Sequence, residues 1–148
     1  MPDSANILIS VDERYVKSML AGTKTIELRR RAVRVPKGTH VWIYSKVPVG
    51  QLRACGVVKE VVEGTPKEIW DGYGHLAGIT TEEFDAYYAG SETACALVFS
   101  QVNEIPPSLT LNTLRTKLQT FHPPQFFKHL SKDSKELQLF RQHLYSPI

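Results

Sequence analysis

The sequence predicts an α+β domain in which five strands coil into a small β-barrel, with short helices at the crossings and one helix at the C-terminus. Three observations predict it. Apolar, strand-like runs recur at 6–11, 25–31, 40–46, 51–62 and 93–102, and helix-start signals fall between them. Two of those runs are ten to twelve residues long, a length that a sheet this small accommodates by strong coiling. Closing the sheet on itself also removes exposed edges.

The elements follow in order. NILISV (6–11) is a short apolar strand. Asp12, and Ser10 with Glu13 at capping-box spacing, offer two caps for the helix after it. Val16, Met19 and Leu20 form that helix's apolar stripe, and Gly22 supplies the left-handed residue that ends it. TIELRRR (25–31) alternates: Ile26 and Leu28 face one way, while Thr25, Glu27, Arg29 and Arg31 face the other. Pro36-Lys37-Gly38 turns into HVWIYSK (40–46), and Pro48 and Gly50 turn into QLRACGVVKEVVEG. Thr65-Pro66-Lys67-Glu68 and Thr80-Thr81-Glu82-Glu83 are capping boxes opening two acidic helices. The strand TACALVFSQV (93–102) is closed by Pro106-Pro107. Leu109, Leu111, Leu114 and Leu118 line a short helix, TFHPPQFFKHL reads as an aromatic, proline-fixed turn, and SKELQLFRQHL as a final amphipathic helix. With no repeat, low-complexity tract or linker, residues 1–148 are expected to form one domain.

Composition narrows the function classes. Hydrophobic residues at 42% and charged residues at 22% suit an ordinary globular protein rather than a disordered chain. No apolar run approaches the roughly 20 residues of a membrane span, and MPDSANILIS lacks the layout of a signal peptide, so a cytoplasmic location is expected. Cys55 and Cys95 are expected as buried thiols, not a disulfide. Without CxxC, HExxH or HxxxH spacing, neither a metal site nor another cofactor is expected. Charge is segregated: residues 1–60 carry 11 Lys and Arg against 5 Asp and Glu, residues 61–105 carry 1 against 8, and residues 106–148 carry 6 against 2. Such a chain can present a basic face despite a total of only +3.

The stretch Gly22-x-Lys24-x-x-Glu27-x-Arg29 resembles the GxKxxExR signature of the ASCH domain family, a branch of the PUA-like pseudobarrel superfamily. ILISVDERYVKSMLAGTKTIELRRR, PKGTHVWIYSK, IWDGYG, EEFDAYYAG and HPPQFF extend the resemblance over nearly the whole chain. It implies a five- to six-stranded PUA-like β-barrel (pseudobarrel) with a cleft at the signature corner, and binding of RNA or a nucleotide.

The residues at that corner suit such a ligand. Lys24 offers a movable ammonium, Arg29 a planar fork that takes phosphate bidentately, and Glu27 either holds Arg29 or accepts from the exocyclic amine of a base. An internal Lys–Glu–Arg network that merely fixes the corner is the competing reading. Arg31 continues the cleft side, and with Arg30, Arg34, Lys37, Lys46 and Arg53 can track a phosphate backbone. Tyr15 can cap the cleft beside Lys24; Tyr44 shares parity with Trp42 and can stack a base, whereas Trp42 reads as core. The expected site is therefore Lys24, Glu27, Arg29, Arg31, Tyr15, Tyr44 and Arg34.

The function expected is binding of RNA or a modified nucleotide, with a regulatory role. A hydrolase in the same cleft is the alternative, with Lys24 and Glu27 catalytic. Family members that hydrolyse acetylated cytidine use a lysine matching Lys24, but Glu27 stands in the place of their threonine nucleophile and residues 74–78 carry no carboxylate. A metal-independent ribonuclease can draw an acid, a base and charge stabilisation from Lys24, Glu27 and Arg29. A protein-interaction module, meeting a basic partner through the acidic middle segment, is the third reading.

Overall fold

The computed structural model describes residues 5–106 and 109–145, so Pro107 lies outside the described residues. In chain order the elements are β1 (Asn6–Val11), α1 (Glu13–Ala21), β2 (Ile26–Arg29), β3 (His40–Ser45), β4 (Gln51–Gly64), α2 (Pro66–Tyr73), α3 (Thr81–Tyr88), β5 (Ala94–Glu104), α4 (Leu111–Leu118), β6 (Phe127–His129) and α5 (Lys135–Tyr145). A single 3-10 turn, Gly74–Leu76, joins α2 to α3.

The barrel expected from the sequence is a six-stranded curled sheet, a half-barrel, in the order β2-β5-β4-β3-β1-β6. β1 runs parallel to β3, and all other neighbours pair antiparallel. The long β4 bends to serve both β3 and β5, with register shifts around Val57, Val58 and Glu60 that sharpen the local twist. Every residue of β1 is buried, which explains why its sequence is nearly continuous in apolar residues and does not alternate. Ile7 and Ile9 pack with Val16 and Met19 of α1; Leu8 packs on the opposite face among Trp42, Leu114 and Phe140, under α4 and α5. A third core holds Ile26 and Leu28 of β2 against Ile69, Phe84 and Tyr88 of α2 and α3.

Both threonine capping boxes form as the sequence predicts. Two local expectations are corrected. Asp12 alone caps α1, by accepting from Arg14 N; the Ser10 hydroxyl instead donates to Pro124 O at 2.7 Å. The TFHPPQFFKHL segment is not wholly a turn, because its last residues form β6, antiparallel to β1 with Leu8 opposite Lys128. Three residues with a polar outer edge are too few to alternate legibly.

Candidate functional site

The signature corner is built by the end of α1 and the start of β2. Gly22 takes φ 83 and its N–H reaches Met19 O, which turns the chain so that Lys24 points back under the helix. Lys24 is only 2% exposed, and its Nζ donates to Ala77 O at 2.8 Å while lying 5.1 Å from the centre of the Tyr15 ring. Burial pushes the Lys24 ammonium below its ordinary value, and the nearby Glu27 carboxylate pulls it partly back. Gly78 makes this approach feasible: a Cβ there would stand 2.8 Å from Lys24 Cβ and 2.9 Å from Thr23 O.

Glu27, 7% exposed, pairs with Arg29 through one oxygen: Oε2 accepts from Arg29 Nε at 3.0 Å and lies 2.9 Å from Nη2. Glu27 Oε1 has no hydrogen-bond donor among the described residues. The same guanidinium reaches across to the far edge of the sheet. Nη2 donates to Ser10 O of β1 at 3.0 Å and Nη1 to Phe126 O, one residue before β6, at 3.1 Å. β2 and β6 are the two ends of the sheet, so Arg29 bridges the seam that strand pairing leaves open. Arg29 thus has a structural job in addition to any ligand it meets.

The three signature side chains converge. Together with Tyr15, Ser10 and Tyr87 they line a hollow of about 130 Å³. Asp12 and Lys46 also border it, so its wall carries both signs of charge. Beyond Arg29 lies a larger hollow of about 680 Å³, which shares Arg29, Lys46 and Tyr87 with the first. Arg30, Arg31 and Phe126 line that second space.

The remaining predicted site residues disperse. Arg31 borders only the second hollow, its Cζ 4.2 Å above the centre of the Phe126 ring. Tyr44 does not reach either hollow: it is 2% exposed and packs 6.0 Å from Phe121 in the core beneath α4 and α5. Its parity puts it beside Trp42, and that face of β3 is covered. Arg34 points elsewhere, forking onto both oxygens of Glu63 at 3.1 Å, and Arg53 turns to Glu13 and Glu104. Arg14 pairs with Glu83. The acidic middle segment thereby neutralises part of the basic one, whereas Arg30, Arg31 and Lys46, which border the second hollow, have no carboxylate partner among the described residues. Tyr87 and Phe126 border the hollows but are not among the site residues expected from the sequence. Tyr87 does anchor α3, its hydroxyl donating to Leu28 O, yet it stays exposed in the wall of both hollows. Phe126 is 50% exposed. The proline pair ahead of it, which can present a ring outward as easily as inward, was its only sequence signal.

Among the described residues no group of three or more His, Cys, Asp or Glu side chains is placed to hold a metal ion. Among the same residues no helix is long and apolar enough to cross a membrane.

No family model matches the chain. A curated relative, an ASCH domain-containing ribonuclease from Zymomonas mobilis, is 28% identical over 136 residues, which cover 92% of this chain and 91% of the relative. The crystal structure of an ASCH protein from Zymomonas mobilis superposes with a TM-score of 0.83 at 27% identity, covering 93% of this chain and 95% of that one. A tyrosine-to-phenylalanine mutant of the Zymomonas mobilis protein matches with a TM-score of 0.82 at 26% identity, over 90% of this chain and 96% of that one. Likeness in both sequence and fold runs along nearly the full length of each molecule and supports the resemblance of this chain to the ASCH domain family.

Proposed function

We propose that this protein binds single-stranded RNA, seating a base in the hollow at the Lys24–Glu27–Arg29 corner. One observation carries the reading: Glu27 Oε1 has no hydrogen-bond donor among the described residues, in a hollow whose other signature groups are cationic. A buried-side acceptor beside two N–H-bearing cations suits a base edge that offers both a donor and an acceptor. The adjoining cations Arg30, Arg31 and Lys46 supply contacts for phosphates. A relative named as a ribonuclease supports RNA as the ligand.

That same relative favours a second reading, in which the bound RNA is cut. The ribose 2′-hydroxyl would give its proton to the Glu27 carboxylate as the O2′–P bond forms. The P–O5′ bond then breaks, the leaving oxygen takes a proton from Lys24, and Arg29 stabilises the charge on phosphorus. Nucleoside amide hydrolysis fits less well, because Thr25, the nearest hydroxyl in sequence, is not in the wall of the hollow.

Incubating the protein with an end-labelled, single-stranded RNA separates these readings. Retention of intact RNA, weakening steeply with salt, marks a binding module. Shortened products that disappear in Glu27→Gln mark a ribonuclease. No retention and no shortening at low salt refutes both.

A further inference from the structure

We infer that the second hollow is a subsite for the nucleotide next in line, with Phe126 as its stacking platform and Arg31 and Lys46 as its phosphate contacts. This deepens the proposed function and rests on it. The two hollows differ in charge. The first has Asp12 and Glu27 in its wall; the second has none, and is bordered by Arg29, Arg30, Arg31 and Lys46. A wall holding cations alone selects an anion, and a phosphodiester emerging from the first hollow enters the second directly, since Arg29, Lys46 and Tyr87 belong to both.

The aromatic ring supplies the other half of the site. Phe126 is half exposed, yet its backbone is fixed, because Phe126 O accepts from Arg29 and Pro124 O from the Ser10 hydroxyl. A ring presented to solvent from a pinned backbone is pre-organised for stacking. Arg31 covers it at 4.2 Å with no carboxylate or carbonyl partner among the described residues, so a base can take over the ring while the guanidinium moves onto the phosphate. Lys46 is exposed and likewise has no carboxylate partner among the described residues. The ligand is therefore an oligonucleotide of two or more residues, not a free nucleoside, and the second base is held without regard to its identity.

Fluorescence anisotropy with labelled single-stranded hexamers of uridylate and of adenylate tests this on the full chain. Phe126→Ala is expected to weaken both hexamers about tenfold, the scale of one lost base–aromatic stack, with the salt slope unchanged. Phe126→Tyr is expected to restore binding, and Arg31→Ala to flatten the salt slope while leaving the melting temperature in place. Wild-type binding that Phe126→Ala leaves intact overturns the subsite alone. Absence of any wild-type binding overturns the subsite and the reading beneath it together. A variant that melts early is replaced by Phe126→Leu, which keeps apolar volume without a ring; full affinity in that variant also overturns the stacking role.

Discussion

Arg29 donates to a carboxylate on its own strand and to two carbonyls on the far side of the sheet. Truncating it leaves Glu27 buried without its counter-ion and two carbonyls without donors. Arg29→Ala is therefore expected to lower unfolding stability by about 2–4 kcal/mol, measured by chemical denaturation, and Arg29→Lys to recover only part, since one ammonium cannot span three acceptors. An unchanged midpoint would mean that the seam closes without it. Lys24 makes a separate prediction. Burial holds its ammonium below the ordinary lysine value, so in that window the unfolded state binds more protons and this residue alone adds stability as pH rises. Its Nζ resonance is expected to titrate below those of the exposed lysines; coincidence with them would contradict the burial.

The helices place the walls of the site, and their stability is legible in short motifs. Thr80 accepts from Glu83 N while Glu83 accepts from Thr80 N, which starts α3, the helix that carries Tyr87. Thr80→Ala is expected to cost about 1 kcal/mol. At the approach to α3, Gly78 takes φ 65 against Lys24, so Gly78→Ala combines backbone strain with a collision and is expected to cost more than the lost cap. Equal or smaller loss in denaturation would show that the loop can yield. Capping boxes, the Gly22 turn and the alternation of β2 were readable because each is local. The burial of Tyr44 was not readable, because parity names a face and not what covers it. The same limit hid Phe126 and the seam: β6 is three residues long, and the hydrogen bond from Arg29 of β2 to Phe126, just ahead of β6, spans 97 positions.

At the scale of the molecule, a half-barrel with two free edges depends on side chains to hold its ends together. Its buried acids set an alkaline limit. Burial pushes the Cys55 thiol up to about 12 and raises Tyr88, Tyr87 and Cys95 as well. These groups keep their protons in the native state after the unfolded chain has lost them. Their contribution is complete below the unfolded thiol range near 8.5–9 and falls as pH climbs through the native values. Lys24 acts in the opposite sense, one group against these four. Melting temperature is expected to fall steadily above about pH 9, and both thiols to resist alkylation until denaturant is added. Rapid alkylation of the native protein would contradict the buried placement of Cys55 and Cys95.

The salt dependence of single-stranded RNA binding, compared by anisotropy between wild type and a combined Arg31→Ala, Lys46→Ala variant, reads out the phosphates held at the second hollow. A linear log–log dependence is expected for wild type, with a slope shallower by about 1.4 in the variant, two phosphate contacts at roughly 0.7 each. Identical slopes for the two proteins, or wild-type affinity indifferent to salt, would contradict that expectation.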